Sequence, residues 1–177
     1  MKKALIALTL GCVAILAARD VKVNLKSAKL GAQMIPGWTL NRSTKAADYG
    51  KGVIVVGSKA DEKALKLNTP ADRANSIYMV PATPVKIGEY MEFSAKVKGK
   101  GTISVNYYTY GDKGQFVGGV KTESKTFTLT DKWTEVKCKL KINPTASPKV
   151  ASIRPSITLS KAGELYIEDI EIEIDND

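Results

Sequence analysis

The residues best suited by type and spacing to do chemistry lie in three short runs. Thr102–Tyr110 places Ile103, Val105, Tyr107 and Thr109 on one parity and Ser104, Asn106, Tyr108 and Tyr110 on the other. In an extended strand these parities are opposite faces. With the apolar parity buried, Asn106, Tyr108 and Tyr110 stand outward. By the same rule Arg154 and Ser156 stand outward from Ser152–Leu159, against Ile153, Pro155, Ile157 and Leu159. If both strands face the same way, the result is a strip of flat rings, an amide and a guanidinium. Rings of this kind stack on apolar CH surfaces, and the polar heads hydrogen-bond hydroxyl groups. Two other placements are open: the tyrosines cover the sheet beneath a loop, or the parity is inverted. The third run is Glu168-Asp169, two adjacent carboxylates in the last strand.

Other chemistries find little support. The chain has no histidine, which removes the commonest general base and metal ligand. No Gly-x-Ser-x-Gly elbow or phosphate loop occurs. Glycosidic hydrolysis needs two carboxylates across a cleft, whereas Glu168 and Asp169 are neighbours. Glu89, Glu92, Glu123 and Glu135 read as scattered outward charges. The expectation is a non-catalytic protein.

The elements that must position these residues are strands. Met91, Phe93, Ala95 and Val97 alternate with polar residues, and Val136, Cys138, Leu140 and Ile142 alternate with lysines. Further strands are expected at Val21–Leu25, Gly52–Gly57, Ala64–Asn68, Ser76–Val80, Lys121–Leu129 and Leu165–Ile174. The continuously apolar Val53–Val56 suggests a strand covered on both faces. Turn signals such as Pro36-Gly37, Gly111–Gly114, Gly118-Gly119 and Asn143-Pro144 separate the runs. In the last strand Leu165 and Ile167 share one parity and Ile170, Ile172 and Ile174 the other, so a β-bulge is expected at Glu168-Asp169. Many short strands with frequent turns predict an all-β antiparallel sandwich. Trp38 and Trp133 read as core or sheet-edge residues.

Lys2 and Lys3 precede an apolar stretch, Ala4–Ala18, that ends at Arg19-Asp20. This is the layout of a secretory signal peptide, with cleavage expected after Ala18 and one domain over 19–177. An uncleaved anchor helix is one alternative. Lipidation at Cys12, which would tether the protein to a membrane, is another. Beyond residue 18 only Cys138 remains, so no intramolecular disulfide is expected. The net charge is +9, of which Lys2 and Lys3 supply two, leaving +7 after cleavage. The lysines are scattered along strands, which reads as a generally basic surface. Export argues against a nucleic-acid partner.

The order of several short pieces resembles carbohydrate-binding modules of the family 4/9 type, within the galactose-binding-domain-like jelly rolls. The pieces are Asn24-Leu25, Pro36–Trp38, Ala64–Leu67, Gly88–Tyr90, Val97–Gly99, Tyr110–Gly114, Thr130–Trp133 and Gly163–Ile170. The resemblance implies a glycan or polysaccharide partner, held without catalysis. It also implies a structural calcium ion held partly by an acidic residue of the last strand, here Asp169 or else Glu168. The further acidic ligands of the pattern near its N-terminus are not matched by Lys29–Ala32. The alternative function is a structural or protein-interaction domain of the cell envelope.

Overall fold

The computed structural model describes residues 19–23, 25–41, 52–117, 123–142 and 150–176. The signal-peptide reading of 1–18, Cys12 and the turns at Gly118-Gly119 and Asn143-Pro144 lie outside the described residues.

The chain is an antiparallel β-sandwich of two six-stranded sheets. In the first sheet the order is β10 (Thr134–Lys141), β7 (Tyr90–Lys100), β12 (Glu164–Asp175), β4 (Lys63–Asn68), β3 (Gly52–Val56), with β1 (Arg19–Lys22) also paired to β12. In the second it is β2 (Trp38–Leu40), β5 (Asn75–Met79), β11 (Ser152–Leu159), β8 (Thr102–Tyr110), β9 (Lys125–Thr128), with β6 (Thr83–Pro84) paired to β11. The alternation read from the sequence is what buries one face of each strand. Met91, Phe93, Ala95 and Val97 of β7 meet Ile103, Val105 and Tyr107 of β8 in one hydrophobic core. Each such aliphatic side chain contributes roughly 1.5–3 kcal/mol on burial. Tyr107, 1% exposed, satisfies its hydroxyl by donating to the Lys141 carbonyl at 2.6 Å.

The parity switch in β12 is a bulge. Its register with β7 shifts between Glu168 and Glu171, and Asp169 adopts φ +50°. At this point β12 also changes its other neighbour, from β4 (Glu164–Ile167) to β1 (Glu171–Ile174). The irregularity thus lets one strand serve two partners along the same edge.

Some expectations are corrected. Val53–Val56 is not covered on both faces: β3 is an edge strand with alternating burial, and Val56 is 52% exposed. The first strand begins at Arg19 and ends at Lys22, and Leu25–Ser27 forms a 3-10 turn that buries Leu25. The strand expected over Lys121–Leu129 is β9, Lys125–Thr128 among the described residues. Trp38 is buried in the core, while Trp133 is half-buried, with the Lys98 ammonium 5.1 Å from its ring centroid.

Cys138 packs half-buried against the core, and burial pushes its thiol up to about 11. Only the thiolate is nucleophilic. Alkylation by iodoacetamide at pH 8 is therefore expected to run about a hundredfold slower than for free cysteine; a rate equal to the free thiol would contradict this placement.

Candidate functional site

The paired strands β8 and β11 bring the outward residues together. Their register sets Ser152 opposite Tyr110, Arg154 opposite Tyr108 and Ser156 opposite Asn106. On the far side of β11, Ser156 also faces Tyr78 of β5. One outer face of the second sheet therefore holds Asn106, Tyr108, Tyr110 and Arg154 side by side. None of the four is fully exposed, since all are half-buried.

The rings interlock edge to face. Tyr78 and Tyr108 have centroids 5.6 Å apart at 90°. Phe116 stands edge-on to both Tyr108 (6.3 Å) and Tyr110 (5.9 Å) and remains 61% exposed. It is placed by the turn that follows β8, closed by Gly111 N–H donating to the Gln115 carbonyl and by Val117 N–H donating to the Thr109 carbonyl. Gly114, with φ +72°, takes the left-handed position of this turn. Asn41 Nδ2 donates to the Tyr108 hydroxyl at 2.9 Å. The Arg154 guanidinium carbon lies 4.5 Å from the Tyr110 ring centroid. Of the two placements left open above, the parity is not inverted. Cover comes partly from a loop residue, Phe116.

Three buried polar atoms on this face lack a hydrogen-bond partner among the described residues: Asn106 Oδ1, Arg154 Nε and Ser156 Oγ. Ser156 is 1% exposed. Buried polar groups are nearly always satisfied by protein or ordered water, and these three adjoin one another in neighbouring rows. Sequence reasoning missed Tyr78, Phe116 and Asn41. Tyr78 was within reach, because it alternates with Ile77 and Met79.

Glu168 and Asp169 lie on the other sheet and diverge at the bulge. Glu168 is buried at 1% exposure. It accepts from Ser58 N–H at 2.8 Å and from the Ser58 hydroxyl, both in the turn between β3 and β4. Asp169 is exposed and pairs with Lys96 at 2.8 Å. Glu62 of the same turn joins them, and the three carboxylates present ligand oxygens within 4.8 Å of one another. The Ser58 hydroxyl, whose single proton Glu62 shares with Glu168, and the Lys59 ammonium pull the Glu62 carboxyl down to about 2. Its partner Asp169 raises the Lys96 ammonium above its ordinary range. An all-oxygen set of this kind could hold a hard cation. In the present arrangement its charge is met by Lys59 and Lys96, and a cation would displace these two exposed side chains. Beside the cluster runs a groove of about 580 Å³, lined by three lysines and four carboxylates with no aromatic ring. It lacks the flat faces of the second sheet.

No family model matches the chain, and no curated protein matches its sequence. Solved structures do match in fold. The CBM22-1 xylan-binding domain of Paenibacillus barcinonensis Xyn10C aligns at TM-score 0.52 and 14% identity, over 83% of this chain and 91% of that one. A CBM4 structure aligns at 0.50 and 13%, over 78% and 95%. A cyclase from Fischerella sp. TAU aligns at 0.60 and 7%, over 89% and 98%. The enzymatically active domain of bacteriophage CBA120 tailspike protein 4 aligns at 0.58 and 13% over 81% of this chain, which spans only 20% of that one. At these identities the likeness is one of fold: a β-sandwich similar to those of carbohydrate-binding modules, a scaffold that enzymes share.

Proposed function

We propose that the protein is an exported, non-catalytic glycan-binding module of the family 4/9 type, with its ligand lying across the outer face of β5, β8 and β11. The observation that carries this reading is the juxtaposition of Tyr78, Tyr108, Tyr110 and Phe116 with three buried, unpartnered polar atoms. Aromatic faces supply contact for sugar CH surfaces, and the half-buried side chains of Asn106 and Arg154 in the same face supply polar heads for its hydroxyls. The xylan-binding domain and the CBM4 structure support the reading through their fold. The Fischerella cyclase supports a rival, catalysis on the same scaffold. The second sheet's outer strands carry no carboxylate to act as acid or base, which favours binding.

The test is retention of the purified protein on immobilised polysaccharides at low and moderate salt. Selective retention that survives moderate salt supports the reading. Retention on acidic polymers alone that vanishes with salt assigns it to the net charge. No retention shifts the reading to a protein partner. Phe116→Ala and Tyr110→Ala are each expected to weaken a salt-stable interaction about tenfold or more, the equivalent of losing one stacked ring. Phe116→Ala should leave the Tm within a degree or two, because that ring is largely exposed.

A structural calcium ion at Glu62, Glu168 and Asp169 is the finer part of the same proposal, supported by the oxygen-only donor set. Millimolar calcium is expected to raise the Tm by several degrees through binding to the folded state alone, an effect lost in Asp169→Ala. An unchanged Tm means that Lys59 and Lys96 neutralise the cluster without a metal.

A further inference from the structure

We propose that the glycan taken by this face is acidic, bearing uronic-acid carboxylates, and that Arg154 is the residue that selects it. The inference rests on the glycan-binding reading above and specifies its ligand class. Along β5, β8 and β11 the outward side chains are hydroxyls, an amide, tyrosines and Arg154; Arg154 alone is charged. No ion pair among the described residues involves it. On the opposite sheet Lys66, Lys96, Lys137 and Lys139 have carboxylate partners, while Lys98 lies over the Trp133 and Tyr166 rings. Among the described residues a half-buried guanidinium therefore stands without a counter-charge at the centre of the second sheet.

The geometry suits a planar anion. The guanidinium carbon lies over the Tyr110 ring, 4.5 Å from its centroid, and the side chain is half-buried, which limits where the group can swing. A guanidinium presents paired N–H groups that match a carboxylate bidentately. A sugar hydroxyl could meet one N–H but not the charge. In the next row lie Asn106 and Ser156, whose Oδ1 and Oγ are buried without a partner among the described residues; of the two side chains only Asn106 is partly open to a ligand. A sugar ring against Tyr110 or Phe116 thus brings its carboxylate beside the one charged group of the face, Arg154.

The experiment compares polygalacturonate with its fully methyl-esterified form, which shares the backbone but not the charge, by affinity electrophoresis in 150 mM NaCl. Dextran sulfate is run as the anion control. Expected is about tenfold tighter retention of the acid than of the ester, and no comparable preference for dextran sulfate. Arg154→Gln should weaken retention of the acid far more than that of the ester and so abolish the preference, while Arg154→Lys keeps the charge and recovers only part of the preference. Equal retention of acid and ester by the wild type overturns the proposal and leaves the glycan reading intact. A preference undiminished in Arg154→Gln also overturns it and assigns the effect to overall charge, as does stronger retention on dextran sulfate. No retention of any glycan removes the reading beneath it as well. Thermal melts of both variants exclude misfolding, and if Arg154→Gln does not fold, the comparison rests on Arg154→Lys.

Discussion

Gly57→Ala is expected to destabilise the fold by about 3 kcal/mol, through the carboxylate it would displace. Gly57 opens the turn between β3 and β4, and a Cβ there would overlap Glu168 Oε2 and crowd Glu62. Glu168 has nowhere to go. It is 1% exposed, and Ser58 holds both of its oxygens. Moving it strands a buried charge and leaves the Ser58 N–H without its acceptor. For a domain of this length the loss corresponds to roughly 6–12 °C in Tm. A double-mutant cycle isolates the cause. In a Glu168→Ala background the added methyl has no carboxylate to strike, so Gly57→Ala should cost well under about 1 kcal/mol there. A loss equal in both backgrounds would mean that the turn backbone, not Glu168, demands glycine.

The second large effect is expected at the start of the described chain. Arg19 of β1 contacts Glu89 at 2.6 Å, and Glu89 is 3% exposed. Glu89 also accepts from Lys86 N–H, and its backbone pairs with Ile142. The pair therefore clasps β1 to the turn that leads into β7. Arg19→Met removes the cation and leaves the buried carboxylate with one neutral donor. Losing one partner of a buried pair typically costs about 3–5 kcal/mol. Arg19 is about a third exposed, so about 2–3 kcal/mol is expected in urea denaturation. Adding Glu89→Gln should restore most of it, since the stranded charge, more than the lost attraction, is the penalty. If Arg19→Met changes stability by less than about 0.5 kcal/mol, water reaches Glu89 and the clasp contributes nothing.

These two sites show where sequence reading succeeds and where it stops. Local alternation carries most of the fold. The parities of Met91–Val97, Ile103–Thr109 and Ile153–Leu159 settle which side chains face the core, because one buried face dictates register. The bulge at Glu168-Asp169 was legible for the same reason, as a broken parity. The apolar run Val53–Val56 misled because composition does not reveal an edge strand, whose outer face can stay apolar and half open. Partners distant in sequence left no trace. Arg19 and Glu89 are 70 residues apart, and the turn holding Ser58 and Glu62 closes on a strand 110 residues later. At the candidate site, Asn106, Tyr108, Tyr110 and Arg154 follow from parity within two strands. Tyr78 joins them only because β11 lies between β5 and β8, an order of strands that periodicity does not encode. Phe116 is set by a turn and has no parity to read.

On the proposed reading, the ringed face of the second sheet holds the ligand. The most direct test is affinity electrophoresis of the wild type beside a Tyr110→Ala/Phe116→Ala variant, in 150 mM NaCl, on whichever polysaccharide retains the wild type. The variant is expected to run as an unretained protein with the wild-type fold by circular dichroism. Undiminished retention of a folded variant would place the ligand elsewhere on the molecule and contradict that reading.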